Sequence, residues 1–240
     1  MSLPGLMMNV PLMISSIIRY AAKYHGDTEI VSRTIEGDLF RYDYRRAYGR
    51  IQRLANAITA LGAGPGDRVG SLAWNTHRHF EMFYGVSGTG AVLHTVNPRL
   101  FPDQLVYIIN HAEDRFLFVD ALTLPLVEAI APRLTTVEAY VMMSDRERMP
   151  EKTSLPNLLC YEDLLAAAAP EYRWPEFDEN SACTICYTSG TTGNPKGVVY
   201  SHRSAVLVTL LYGGFVTMDA PPGARQTLMP MAPMFHGNAW

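Results

Sequence analysis

The chain has 240 residues, of which 48% are hydrophobic and 18% are charged, and its formal net charge is −3 at pH 7. This composition is typical of a globular protein with a hydrophobic core and excludes a disordered chain. The small negative charge and the absence of a long basic run argue against nonspecific binding of nucleic acid.

The first predicted elements are a helix over 11–24 and two short strands over 29–34 and 39–43. Apolar residues at helical spacing predict a long helix over 44–61, which ends at Gly62. Strands then alternate with helices. The predicted strands are 68–73, 91–95, 115–119 and 137–142, and the predicted helices are 78–87, 102–111 and 124–131.

This alternation predicts an α/β fold, in which a mainly parallel sheet has helices packed on its faces. In such folds, ligands bind outside the carboxyl ends of the strands.

The polar, proline-bearing segment 144–158 is predicted to be a surface loop, and a helix is predicted over 161–168. A buried strand over 182–187, a strand over 197–201 and a helix over 203–213 complete the pattern.

The loop between the last two predicted strands belongs to the sequence YTSGTTGNPKG, from Tyr187 to Gly197. Its glycines allow backbone N–H groups to approach an anion, its serine and threonine hydroxyls add donors, and Lys196 adds a positive charge. These residues predict a phosphate-binding loop. It is not a Walker A motif, because Pro195 stands where the second glycine of that motif belongs and Gly197 where its hydroxyl belongs.

This whole string resembles the phosphate loop of the adenylate-forming enzymes, which include acyl-CoA synthetases, luciferases and the adenylation domains of peptide synthetases. A second segment, PMFHGNAW at 233–240, is similar to the next motif of that family. Segments 14–31, 74–79 and 91–112 are similar to the medium- and long-chain fatty acyl-CoA ligases. The resemblance covers nearly the whole chain, and it implies part of the large N-terminal domain of an acyl-CoA synthetase-like fold.

The resemblance implies an AMP-forming fatty acid–CoA ligase that uses ATP and magnesium, with CoA as cosubstrate. In this reaction the fatty acid carboxylate attacks the α-phosphorus of ATP and displaces pyrophosphate. The thiolate of CoA then attacks the acyl adenylate, and AMP leaves. Both reactants of the first step are anionic, so the protein must neutralise and position them.

The resemblance also implies roles for individual residues. His236 is the implied catalytic residue, beside the carboxylate that is activated. Thr188 is implied near magnesium, and Gly237 and Trp240 are implied in the wall of the acyl pocket. The implied nucleotide and phosphate contacts are Thr188, Ser189, Gly190, Thr191, Thr192, Gly193 and Lys196.

Members of this family are much longer than 240 residues and end in a small C-terminal domain. We therefore expect residues 1–240 to be an incomplete N-terminal, AMP-binding domain that is inactive by itself. Three alternatives stay open from the residues alone: an aryl-CoA ligase or luciferase-like enzyme, a nonenzymatic nucleotide-binding module, and a structural fragment that binds nothing. We also allow for a homodimer.

The cysteines and most of the remaining histidines are expected to be structural. Three cysteines do not make a disulfide framework, which favours a reducing compartment and hence the cytoplasm. Cys183 and Cys186 spell C-x-x-C, but side chains three apart on a strand point to opposite faces. His77 and His79 have no third metal ligand nearby, whereas His202 is kept as a further candidate for the active site. No apolar stretch approaches the roughly 20 residues of a membrane span.

Overall fold

The computed structural model describes residues 3, 5, 7–188, 194–218 and 226–236 of the chain. Its helices and strands follow one another in the predicted alternation. In chain order they are α1 (Ile14–Tyr24), β1 (Glu29–Arg33), β2 (Leu39–Asp43), α2 (Tyr44–Ala60), β3 (Arg68–Leu72), α3 (His77–Ser87), β4 (Val92–Thr95), α4 (Pro102–Ala112), β5 (Asp114–Val119), α5 (Leu124–Ile130), β6 (Ala139–Met142), β7 (Leu158–Cys160), α6 (Tyr161–Ala167), β8 (Ala182–Thr188), β9 (Lys196–Ser201) and α7 (His202–Met218).

The described strands β3 to β9 form one sheet in the order β7-β6-β5-β3-β4-β8-β9. Neighbouring strands are parallel, except that β8 and β9 are antiparallel. The predicted α/β fold with a mainly parallel sheet and flanking helices is therefore confirmed. Strands β1 and β2 lie outside this sheet and form a separate antiparallel hairpin.

Helices cover both faces of the sheet. Side chains on each strand alternate between the faces, so that one strand contributes to two cores. Phe116 and Phe118 of β5 belong to a core that also contains side chains of α1, α2, α3 and α6. Leu117 and Val119 of the same strand belong to a second core with α4 and α5. After β3 the chain enters α3 on one face of the sheet, whereas after the adjacent β5 it enters α5 on the other face. A crevice therefore opens between the carboxyl ends of these two strands.

A partly buried ionic cluster joins α2, α3 and α6 beside the first core. The Arg50 guanidinium contacts Glu81 at 2.6 Å and Glu162 at 2.8 Å, and Tyr161 donates a hydrogen bond to Glu81 at 2.8 Å. Arg78, near the start of α3, donates to Glu162 at 2.9 Å. Burial alone would raise the pKa of Glu162, but its hydrogen bonds from the two arginines lower it to about 2. The cluster therefore links the position of α3 to those of α2 and α6.

Several boundaries are shifted by one to three residues, and two differences from the sequence prediction are larger. The predicted loop over 144–158 ends in β7, a strand of three residues that pairs with β6. So short a strand shows no periodicity that a sequence pattern could reveal. Helix α7 continues to Met218 instead of ending at Gly213, because glycine weakens a helix without forbidding it. Among the described residues, no helix has the length and apolar character needed to cross a membrane.

We predict opposite effects of adding a methyl group to two helical glycines. A Cβ on Gly85 of α3 would lie 2.7 Å from Cδ2 of the fully buried Leu54, whereas Gly49 of α2 has no such neighbour within 4 Å. Gly85→Ala should lower the free energy of unfolding by about 1–2 kcal/mol. The control Gly49→Ala should raise it by about 0.5–1 kcal/mol. Urea denaturation measures both, and equal effects would contradict this packing.

Candidate active site

The loop predicted to bind phosphate joins two strands, as expected, and these strands are antiparallel. Thr188 is the last residue of β8 and pairs with Lys196, the first residue of β9. Both are exposed, and the Thr188 hydroxyl donates to the Lys196 carbonyl at 3.5 Å. Both side chains therefore stand at the carboxyl end of β8. Ser189, Gly190, Thr191, Thr192 and Gly193 lie outside the described residues.

Tyr187 anchors the end of β8 beneath this loop. Its hydroxyl lies 2.7 Å from Nδ1 of His111 on α4, and its ring centroid is 5.0 Å from that of His94 on β4. Burial raises the pKa of Tyr187 to about 12, so its hydroxyl is neutral near pH 7. A Cβ on Gly197, opposite Tyr187 on β9, would lie 3.2 Å from Cζ of the tyrosine ring. The last glycine of the motif therefore makes room for this ring.

The second motif lies at the same edge of the sheet. Strand β4 pairs with β8, so that Thr95 is opposite Cys186, two residues before Thr188. The Thr95 hydroxyl donates to the Phe235 carbonyl at 3.3 Å, and the Phe235 ring contacts Trp74 at a centroid distance of 5.6 Å. Segment 230–236 therefore packs on the carboxyl ends of β3 and β4, next to the strand that leads into the phosphate loop.

Asn75, which follows β3, makes three further side-chain hydrogen bonds with this segment. Its Nδ2 donates to the Ala232 carbonyl at 2.9 Å and to the Pro230 carbonyl at 3.4 Å. Its Oδ1 accepts from the Met234 N–H at 2.7 Å. Segment 74–79 resembles the family as a whole, and no local pattern in it predicts this role of Asn75.

His236 follows the anchored residues and has an exposed side chain. Its backbone N–H donates to the Pro233 carbonyl at 2.9 Å, which closes a turn. The structure therefore brings His236 to the sheet edge that also carries Thr188 and Lys196. Gly237 and Trp240, the predicted acyl-pocket residues, lie outside the described residues.

A buried carboxyl group lies in the crevice between β3 and β5. Asp120 directly follows β5 and is 1% exposed. Its Oδ2 accepts from the Trp74 N–H at 2.6 Å, and its Oδ1 has no partner among the described residues. Burial raises the pKa of Asp120 to about 7, although the Trp74 hydrogen bond opposes this shift. The sequence signal for this residue was a charged side chain directly after the apolar run FLFV.

His202 does not belong to this site. It follows β9 at the amino end of β8, opposite the phosphate loop, because Ser201 pairs with Ala182. Its ring is buried, Nδ1 accepts from the Ile14 N–H at 3.3 Å, and burial lowers its pKa to about 4. His202 is therefore a neutral residue that packs the start of α7 against α1.

The other histidines and the cysteines form no second site in the part of the chain that the structure describes. His79 bridges the Ser71 hydroxyl and the Trp74 carbonyl, each at 3.1 Å, and no cluster of metal ligands occurs among the described residues. The three cysteines are buried and form no disulfide. Burial raises the pKa of Cys183 to about 11, which leaves its thiol protonated and unreactive near pH 7.

Comparisons with known proteins identify the family. Residues 18–240 match the family described as AMP-binding enzyme. The chain belongs to this family, the adenylate-forming class that its two motifs predicted. The chain is 51% identical to a 3-methylmercaptopropionyl-CoA ligase from Ruegeria pomeroyi, over 98% of this chain and 43% of that protein. It is 44% identical to a medium-chain fatty acid–CoA ligase from Ectopseudomonas oleovorans, again over 98% of this chain and 43% of the relative.

The solved structures agree on the fold. A putative long-chain fatty acid–CoA ligase from Rhodopseudomonas palustris superposes with a TM-score of 0.75 at 22% identity, over 94% of this chain and 52% of that chain. This likeness supports the assignment to the N-terminal domain of an acyl-CoA synthetase-like fold. The chain spans less than half the length of the curated relatives that it matches.

We predict that Asp120→Asn changes how stability depends on pH. The raised pKa means that the folded state holds a proton on Asp120 between about pH 4 and 7, whereas the unfolded chain does not. The stability contributed by this group is therefore full below about pH 4 and is lost as the pH rises through about 7. Asparagine keeps the acceptor for the Trp74 N–H and carries no charge.

The free energy of unfolding of Asp120→Asn, relative to the unmodified chain, should therefore rise by about 2–4 kcal/mol from pH 4 to pH 7.5. Denaturation at several pH values measures the difference. Asp103→Asn is the control, because the Asp103 carboxylate is 85% exposed and its pair with Arg133 is a surface salt bridge. A difference that stays constant with pH for Asp120→Asn would refute the interpretation.

Proposed function

We propose that this chain is the N-terminal part of an AMP-forming ligase that joins a linear aliphatic acid, such as a fatty acid, to CoA. CoA ligases of the AMP-binding family use ATP and CoA. The observation that carries the proposal is the common sheet edge, where segment 230–236 packs beside the strand that ends at Thr188. The proposed domain organisation is an incomplete AMP-binding domain over 1–240, continued by a C-terminal remainder.

The first half-reaction joins two anions, so positive charge and hydrogen-bond donors at this edge would accelerate it. The ammonium group of Lys196 would neutralise the β- and γ-phosphates as pyrophosphate leaves. Ser189, Thr191 and Thr192 would donate hydroxyl hydrogens, and Gly190 and Gly193 would present backbone N–H groups. Each charge-assisted hydrogen bond contributes about 1.5–3 kcal/mol.

The exposed hydroxyl oxygen of Thr188 is the kind of hard ligand that Mg²⁺ accepts. The described residues contain no carboxylate cluster that would hold this ion alone, so the proposed site relies on phosphate oxygens as well. When bound, the ion would neutralise charge on the phosphates. The role of Thr188 is then to orient those phosphates at the end of β8.

His236 would donate a hydrogen bond to the acyl carboxylate, and Gly237 and Trp240 would line the acyl pocket. Linear aliphatic substrates are proposed because the relatives named for 3-methylmercaptopropionyl-CoA and for medium-chain fatty acids share that chemistry. We place the protein in fatty acid metabolism and in the cytoplasm. A homodimer stays a prediction.

Lys196→Ala tests the loop. In the full-length protein this change should lower the rate of acid-dependent pyrophosphate release by about 10- to 100-fold, the loss expected for one charge-assisted contact. The fold should be unaffected, because Lys196 is exposed. Lys152→Ala is the matched control, since it removes another exposed lysine from the segment between β6 and β7. Equal rates in the two variants would refute the assignment.

A panel of carboxylic acids tests which class of acid the full-length protein activates. We expect pyrophosphate release by the full-length protein with ATP, Mg²⁺ and linear acids from butyrate to palmitate, together with 3-methylmercaptopropionate. Chain 1–240 alone should release none. Release with benzoate or cinnamate instead would favour an aryl-CoA ligase. ATP binding without release for any acid would favour a nonenzymatic nucleotide-binding module.

A further inference from the structure

The side chain of Asn75 uses both ends of its amide on one segment of backbone. As described above, Nδ2 donates to the carbonyls of Ala232 and Pro230, while Oδ1 accepts from the Met234 N–H. One side chain thus satisfies three backbone groups that lie more than 150 residues away along the chain. Such long-range hydrogen bonds fix the position of a backbone segment. Covering a surface would not require them.

The first part of the segment is held mainly by the Asn75 side chain. Pro230 and Pro233 lack a backbone N–H and cannot take part in a regular strand ladder. The side chains of Leu228, Met229 and Met231 are 72–78% exposed. The second part is also anchored by the burial of Met234 and Phe235, which are 6% and 5% exposed, by the Thr95 hydrogen bond to Phe235, and by the ring contact of Phe235 with Trp74.

Asn75 is itself held rigidly on both sides. The preceding residue, Trp74, donates its N–H to the buried Asp120, and its carbonyl lies 3.1 Å from Nδ1 of His79. The following residue, Thr76, caps α3 by accepting from the His79 N–H at 3.3 Å. The backbone of Asn75 therefore has little freedom, and its amide is preorganised to receive the segment.

We propose that Asn75 is a positioning residue that places His236 for reaction with the acyl carboxylate. His236 is two residues beyond Met234, whose N–H donates to Asn75. The N–H of His236 donates to the Pro233 carbonyl and closes a turn. The proposal rests on the proposed function for its chemistry. Asn75 does not contact the substrate, and it acts by setting where the His236 imidazole stands.

Such positioning affects the turnover rate more than nucleotide binding. A displacement of reacting groups by about 1 Å lowers a rate by about 100-fold. The proposed phosphate contacts of Lys196 depend on β8 and β9, whereas the hydrogen bonds of the Asn75 side chain are made to residues 230–234. Loss of the Asn75 amide should therefore lower kcat and leave KM for ATP unchanged.

The test compares Asn75→Ala with Asn56→Ala in the full-length protein. Asn56 is a matched control, because its Nδ2 also donates to two backbone carbonyls, those of Ala169 and Glu171, each at 2.8 Å. It lies near the carboxyl end of α2, which leads to the amino end of β3, away from the candidate site. Asn75→Ala should lower kcat by about 30- to 100-fold. Asn56→Ala should lower it less than about twofold.

A double-mutant cycle with His236→Ala separates positioning from a general structural role. If Asn75 acts through His236, adding Asn75→Ala to His236→Ala causes little further loss of kcat. If the two losses multiply, Asn75 acts elsewhere and the proposal is overturned. Asn75→Asp keeps the acceptor for Met234 and loses the donors, so it should give an intermediate kcat even if Asn75→Ala folds poorly.

Hydrogen exchange gives a readout that needs no activity. Amides in peptide 226–236 should exchange about five- to tenfold faster in Asn75→Ala, the change expected when hydrogen bonds of ordinary strength are lost. Asn56→Ala should leave them unchanged. If no acid supports pyrophosphate release in the unmodified protein, the proposed function fails while this measurement still decides whether Asn75 holds the segment. Unchanged exchange would overturn the proposal.

Discussion

The parallel pairing of β4 with β3 on one side and β8 on the other is the constraint on which the candidate site depends. Parallel pairing brings the carboxyl ends of these strands to one edge, whatever their separation along the chain. Thr95, the last residue of β4, pairs with both Ser71 and Cys186 and also donates to Phe235. Slippage of β4 by one residue would turn its side chains to the opposite face and remove this contact.

The loops at this edge are also tied to one another from below. Asp120 connects the end of β5 to Trp74 after β3. Arg78, at the start of α3, donates to the Met143 carbonyl after β6 at 3.0 Å and to Asp145 at 2.9 Å. Through Arg78, the ionic cluster thus supports the turn that carries Asn75. The loops at this edge are therefore connected, and a displacement of one loop would displace its neighbours.

Much of this arrangement followed from local sequence, and the reasons for the exceptions are physical. The alternation of strands and helices predicted the parallel sheet, and the loop motif between two apolar runs predicted the β8–β9 connection. Strand β7 was missed because three residues carry no measurable period. The contact between Asn75 and Met234 was invisible because it joins positions 159 apart, which no local pattern relates. The buried state of Asp120 likewise depends on which strands become neighbours.

The hairpin formed by β8 and β9 fixes both ends of the phosphate-loop segment at the paired residues Thr188 and Lys196. Once the ends of a connection are fixed, the entropic cost of closing it grows only with the logarithm of its length. One residue added to 189–195 would cost about 0.1 kcal/mol by this measure. Folding therefore sets almost no limit on the length of this segment. Under the proposed function, the fixed spacing of a triphosphate sets that limit, so insertions here would spare stability and impair nucleotide binding.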